Sequence, residues 1–250
     1  MLSIQSYGSA ALKLLENGYT PIPIIPETKK PSIKNWQNIE NDYNQIEKLS
    51  SKHPHAGVGV LLNDLIVFDI DILDDRLSLL VKKIIINELK DTIERIGKFP
   101  KRALFYRRIG EEFRKKSTES FDIEKGKARL EILATGSQCV VFGTHPETKQ
   151  PYQWIEDSLL DIHIEDLPSV NIKQFKNIKN FTHSHLTPKM AKAIIKTKSW
   201  KDLNLEGKII TCGSDGVPAF LINKFVEKGC TFIVNCCLLY TSDAADDRIC

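Results

Sequence analysis

In Leu65-Ile-Val-Phe-Asp69-Ile-Asp71-Ile72, a run of apolar residues carries two aspartates separated by a single residue. Side chains alternate across a strand, so Asp69 and Asp71 share one face, with Cα atoms about 6–7 Å apart. Ile66, Phe68, Ile70 and Ile72 line the other face and enter the core. Apolar residues on both sides mark a central strand rather than an edge. Two carboxylates held together on a rigid strand repel each other unless a cation lies between them. Mg²⁺ prefers hard oxygen ligands, and commonly takes one or two carboxylates plus substrate phosphates. A third acid has the same character: in Arg129-Leu-Glu131-Ile-Leu133, Glu131 projects with Arg129 from a second apolar strand.

Outward from this pair, the pattern alternates between helix and strand. Apolar spacing predicts helices over 3–17, 42–50 and 75–96. It predicts strands over 21–26, 56–62, 65–73, 102–108, 128–133 and 138–142. Asn63-Asp64 reads as a tight turn between two strands, and Thr135-Gly-Ser137 as a hairpin between two others. The combination predicts an α/β (α+β) fold with a mixed β-sheet flanked by helices. Asn171 to His185 is rich in Asn and Lys and reads as a linker. Thr187 and Pro188 open a further expected helix to Lys198.

Bulk properties exclude several classes. Hydrophobic residues make up 42% and charged residues 27% of the chain, the balance of a globular protein with a sizeable core. No run of about 18 apolar residues suggests a membrane span, and the first residues carry no secretion signal. Of six cysteines, only Cys139 and Cys212 precede residue 230, and neither lies in a C-x-x-C pair. That spacing reads as a reduced, cytoplasmic protein with no zinc site. The net charge is +3, yet Lys98 to Arg129 holds eleven Lys/Arg against five Asp/Glu, a local patch suited to phosphate-rich ligands. The end of the chain, Cys237-Leu-Leu-Tyr-Thr-Ser-Asp-Ala-Ala-Asp-Asp247, reads as a translated sequencing adapter. Residues 236–250 are therefore set aside from fold reasoning, and the natural chain is expected to continue beyond about residue 235.

Taken together, these segments resemble the primase–polymerase family of phages and plasmids, within the archaeo-eukaryotic primase superfamily. The resemblance covers roughly residues 5–170. It rests on Phe68-Asp69-Ile-Asp71 as the paired-acid motif, on Glu131 as the third acid, and on Lys101-Arg-Ala-Leu-Phe-Tyr-Arg107 between them. Gly136-Ser-Gln-Cys-Val-Val-Phe-Gly-Thr-His145-Pro146 and Pro151-Tyr-Gln-Trp154 follow. Gly18-Tyr-Thr-Pro-Ile-Pro-Ile24, Lys30-Pro31 and Trp36 fit the family's opening.

The resemblance implies a primase-like catalytic domain over 1–170, with 171–235 a linker and the start of a downstream region. It implies template-directed nucleotidyl transfer in phage, plasmid or prophage replication. Asp69, Asp71 and Glu131 would hold two Mg²⁺ or Mn²⁺ ions. The partners would be a single-stranded DNA template, nucleoside triphosphates and a helicase domain lost with the missing C-terminal region. The alternative is a non-catalytic, primase-derived module that binds nucleic acid. Phosphohydrolases of the haloacid dehalogenase type also open on an apolar strand ending in D-x-D. They continue with Gly or Val and then Thr, where this chain has Ile72-Leu73.

One departure stands out. Many family members carry a histidine in the strand between the acid motifs, where it binds the incoming triphosphate, and Leu104 falls at about that place. Arg102 or Arg107 is the expected substitute, since the guanidinium fork suits phosphate. Five positions separate them, so a regular strand points only one toward the acids. His145 in a loop after a strand, and Lys30 in the polar loop Thr28–Pro31, are further candidates for nucleotide contact. Tyr152 and Trp154 are candidates for base stacking.

Overall fold

A computed structural model describes residues 5–117, 121–123 and 126–171, and beyond them short stretches of which 184–186, 209–213 and 218–235 are the longest. The chain divides into two compact units, residues 1–175 and 176–250.

In order, the first unit runs α1 (Tyr7–Glu16), β1 (Pro21–Ile24), α2 (Tyr43–Lys52), β2 (Gly57–Leu61), β3 (Leu65–Asp71) and α3 (Asp75–Leu89). It continues with β4 (Glu94–Ile96), β5 (Arg102–Arg108), β6 (Lys116–Ser117), β7 (Phe121–Ile123), β8 (Gly126–Leu133), β9 (Gln138–Phe142), β10 (Gln153–Ile155) and β11 (Ser169–Val170). Two sheets result. One is β1-β2-β9, and the other is β10-β4-β5-β3-β8-β6, with β7 paired to β8 and β11 paired to β5. Every pairing is antiparallel except β11 with β5, so the fold is α+β with a mixed sheet.

Alternation along β3 divides the apolar residues between two layers. Leu65 and Val67 join a core cluster with Ala103 and Phe105 of β5, the buried faces of β1, β2 and β9, and Tyr7, Ala10, Ala11 and Leu14 of α1. Ile66, Phe68 and Ile70 are fully buried on the other face, where Phe68 meets Tyr106 edge-on at 5.5 Å. The helix α3 starts where Asp74 caps it, accepting the Leu77 N–H at 2.9 Å. Its Ser78 is buried and donates to the Pro100 carbonyl at 2.7 Å.

Three local expectations are corrected. The helix expected over 75–96 stops at Leu89, because Lys90 takes a positive φ of 86° and the chain re-enters the sheet as β4. Asn63-Asp64 does not close a hairpin, since β2 and β3 belong to different sheets. Nor does Thr135-Gly-Ser137, since β8 pairs with β3 while β9 pairs with β2. Both links carry the chain from one sheet to the other, and they run side by side, tied by the Leu62 N–H to the Ser137 carbonyl at 3.1 Å. Four short strands, β6, β7, β10 and β11, were not expected.

The second unit contains a parallel sheet of β12 (Ser184–Leu186), β13 (Ile209–Gly213) and β14 (Thr231–Asn235), with a helix over Ala219–Val226 between the last two. The helix expected over 187–198 falls largely outside the described residues, and 236–250 lie wholly outside them. No helix among the described residues is long and apolar enough to cross a membrane.

Candidate active site

The register of the large sheet lines up one row of side chains across six strands. Trp154 of β10 is opposite Arg95 of β4, Arg95 is opposite Ala103 of β5, and Ala103 is opposite Asp69 of β3. Asp69 is in turn opposite Glu131 of β8, and Glu131 opposite Ser117 of β6. Directly opposed residues in antiparallel pairs share a face, so Asp69 and Glu131 project together. Asp71 projects from the same face one pleat on, opposite Arg129. The three acids expected from sequence are thus neighbours on one sheet surface.

Cations stand among them. Lys101 reaches Asp71 Oδ1 at 2.5 Å, and Arg129 bridges Asp71 Oδ2 at 3.5 Å and Glu131 Oε1 at 3.3 Å. Lys115 adds a 3.0 Å contact to Glu131. Among the described residues, no three His, Cys, Asp or Glu side chains converge as a ready-made metal cage. The acids nevertheless have the chemistry a hard divalent cation takes, being oxygen donors from adjacent strands, although Lys101, Lys115 and Arg129 would have to give up Asp71 and Glu131 to it. Asp69 makes the strongest case. Burial pushes its carboxyl above the ordinary carboxylate range, Asp71 and Glu131 push the same way, and Arg95 and Lys29 oppose them. A group so placed favours a bound cation over ionisation alone.

The two arginines expected to contact nucleotide take opposite faces of the sheet. Arg102 is opposite Ile70, on the face away from the acids. There it is saturated: Nη1 donates to Glu94 at 2.6 Å, Nη2 to Asp75 at 3.0 Å and Nε to Ser78 at 3.2 Å. Arg107 does share the acids' face, but it is opposite Leu65, four residues or about 13 Å along β3 from Asp69. Leu104 is opposite Phe68 and points away from the acids; the β5 residue that faces Asp69 is Ala103. Within β5, a histidine facing Asp69 would need that position.

His145 is 5% exposed and packs edge-on against Tyr152, with ring centroids 5.4 Å apart. Its Nδ1 accepts the backbone N–H groups of Glu147 and Thr148 at 3.3 Å. Burial lowers its pKa, helped by Lys29, Arg95 and Lys98 and opposed by Glu147. A neutral imidazole with Nδ1 accepting keeps its proton on Nε2, which remains a donor. Lys30 is exposed, with its backbone carbonyl bonded to the Ile25 N–H at 2.8 Å. Its neighbour Lys29 is the loop cation that acts on Asp69, Cys139 and His145. Tyr152 is buried, and Trp154 packs against Phe105 and Phe142 while donating to the Val141 carbonyl at 3.1 Å. Both aromatic residues therefore belong to the packing between the strands.

Lys29, Arg95, Lys101 and Lys115 were not among the residues singled out from sequence. Lys101 was within reach of a register argument, since it precedes a strand antiparallel to β3. Arg95 was hidden by the expected extension of α3.

A family model described as bifunctional DNA primase/polymerase, N-terminal, matches residues 11–170. No curated protein matches the chain.

Proposed function

The chain belongs to the bifunctional DNA primase/polymerase family, and on that premise we propose that it performs template-directed nucleotidyl transfer at the acid row. The observation that carries this reading is the register placing Asp69 opposite Glu131, with Asp71 on the same face. In this reading the three carboxylates hold Mg²⁺ or Mn²⁺. The ions, when bound, supply Lewis-acid stabilisation of the attacking and leaving oxygens. A primer or initiating nucleotide presents its 3′-hydroxyl to the α-phosphate of the incoming nucleoside triphosphate, and pyrophosphate leaves. Such chemistry depends on positioning and electrostatics rather than a covalent nucleophile, which fits a site made of acids, lysines and arginines. Lys101, Lys115 and Arg129 hold the carboxylates in place and stand ready to turn to phosphate oxygens. His145 offers its Nε2 proton to phosphate or ribose. A single-stranded DNA template would follow the basic stretch from Lys98 to Arg129.

The test is incorporation of labelled deoxynucleotide on a primed template, with and without Mg²⁺, by the full chain and by Asp69→Asn. Metal-dependent extension by the wild type alone supports the reading. A second reading, a nucleic-acid-binding module without catalysis, is favoured by the cations already paired with Asp71 and Glu131. It is the outcome if the chain binds single-stranded DNA with strong salt dependence but extends no primer with either ion.

A further inference from the structure

Two arginines on adjacent strands, each 8% exposed, are treated oppositely by their surroundings. Arg102 is saturated by two carboxylates and a hydroxyl. Arg95 has no carboxylate partner among the described residues. Its side chain makes one hydrogen bond there, from Nη2 to Cys139 Sγ at 3.6 Å, and Nε is buried with no partner. The guanidinium lies 4.6 Å from the centroid of the Tyr152 ring. A cation–π contact offsets only part of the cost of burying an unpaired charge. Arg95 therefore stands as a buried cation with no anion in direct contact among the described residues.

Its position says which anion. Arg95 is two strands from Asp69 in the same row, about 10 Å at the usual strand spacing. Ala103, whose side chain is a single methyl group, is the residue of the row between them. The electrostatics of Asp69 and of His145 both register Arg95 and Lys29, and Tyr152 contacts both the guanidinium and the imidazole. Gly97 closes this group tightly: a Cβ there would lie 2.7 Å from Tyr152 and 2.8 Å from His145. On the β4 side of Asp69 there is thus a guanidinium fork beside a neutral imidazole with a proton to donate, and the field of Lys29 reaches both Asp69 and His145. Together they suit the outer phosphates of a polyphosphate whose inner phosphate faces Asp69.

We infer that Arg95, rather than Arg102 or Arg107, binds the β- and γ-phosphates of the incoming nucleoside triphosphate. The inference rests on the nucleotidyl-transfer reading for the identity of the ligand, and the test separates the two. Inorganic tripolyphosphate is titrated into the full chain in EDTA, with binding followed by calorimetry for the wild type, R95Q and R95K. A single-stranded oligonucleotide is titrated in parallel, and nucleotide KM is measured in primer extension. Loss of a charge-assisted phosphate contact weakens binding about tenfold to a hundredfold. R95Q is expected to show that loss for tripolyphosphate, and a matching rise in nucleotide KM. R95K recovers part of both, and oligonucleotide affinity stays within about twofold. The ligand-free melting temperature of R95Q stays level or rises, because an unpaired buried charge is gone.

Unchanged tripolyphosphate affinity in R95Q, with a lower melting temperature, overturns the inference and makes Arg95 a structural cation. A loss confined to the oligonucleotide also overturns it, and assigns Arg95 to the template. If R95Q does not fold, R95K decides: affinity equal to wild type overturns the inference, and a several-fold loss supports it. Arg95-dependent tripolyphosphate binding in a chain that extends no primer supports the anion site and removes the nucleotidyl-transfer reading.

Discussion

Replacing Arg102 by alanine tests whether the buried network behind the sheet is structural. Arg102 joins β5 to β4 and α3 through Glu94, Asp75 and Ser78, and Glu94 is only 3% exposed. Removing one partner of a buried ion pair typically costs about 3–5 kcal/mol, because the other charge is left without compensation. Lys82 still reaches Glu94 Oε2 at 2.5 Å, which holds the expected loss to about 3 kcal/mol, near the lower end. For a unit of this size each kcal/mol moves the melting temperature about 2–4 °C, so Arg102→Ala should lower it by roughly 6–12 °C. Adding Glu94→Gln to Arg102→Met removes both charges and should recover a good part of that loss. The assay is thermal unfolding by circular dichroism in EDTA, with nucleotide KM measured on the folded fraction. A melting temperature within about a degree of wild type, combined with a tenfold rise in nucleotide KM, would refute the structural assignment and return Arg102 to the phosphate-binding candidates.

Other outcomes follow from the same geometry. Asp69→Asn should abolish metal-dependent extension while raising or preserving the ligand-free melting temperature at neutral pH. The Asp69 carboxyl is raised by burial, so its favourable contribution is present in acid and lost as pH rises through its folded pKa; the mutant's advantage should therefore vanish near pH 4. Gly97→Ala should cost about 1–3 kcal/mol, because its Cβ would meet the Tyr152 and His145 rings at 2.7 and 2.8 Å. It should also weaken tripolyphosphate binding, and calorimetry with a melt reads both. Arg107→Ala should leave nucleotide KM within about twofold, given its place about 13 Å along the sheet from Asp69. A tenfold rise in that KM would show that β5's far end reaches the nucleotide.

The acid row was legible because its signal is local. A strand's period of two puts Asp69 with Asp71, and the apolar residues around Glu131 set its parity in the same way. The five-residue spacing of Arg102 and Arg107 does put them on opposite faces, Arg102 opposite Ile70 and Arg107 opposite Leu65. Direction along the strand was the missing part: β5 is antiparallel to β3, so its first residues, not Arg107, lie beside the acids. The crossings at Asn63-Asp64 and Thr135-Gly-Ser137 look like hairpin turns because turn chemistry does not encode which sheet the next strand joins. Arg95 was lost to a helix pattern in which Leu89 and Ile93 keep a four-residue spacing. Both are buried, but Leu89 ends the helix while Ile93 joins the core just ahead of β4.

Charge accounts for how one sheet surface carries three acids with no ready-made metal cage among the described residues. Lys101, Lys115 and Arg129 pair directly with Asp71 and Glu131, and Arg95 and Lys29 act on Asp69 from the other side. Five cations therefore attend three carboxylates. On the nucleotidyl-transfer reading, two divalent ions and a nucleoside triphosphate carry nearly equal and opposite charge, so binding both would leave this excess almost unchanged. On that reading, Asp69, Asp71 and Glu131 would hold the ions, and Lys101, Lys115 and Arg129 would turn to phosphate oxygens within reach of the same strands. Binding of ion and nucleotide then becomes an exchange of partners rather than the filling of a bare acidic site, and each should strengthen the other. On the same reading, the surplus of positive charge that survives the exchange would face the remaining anion of the reaction, the phosphate backbone of primer and template.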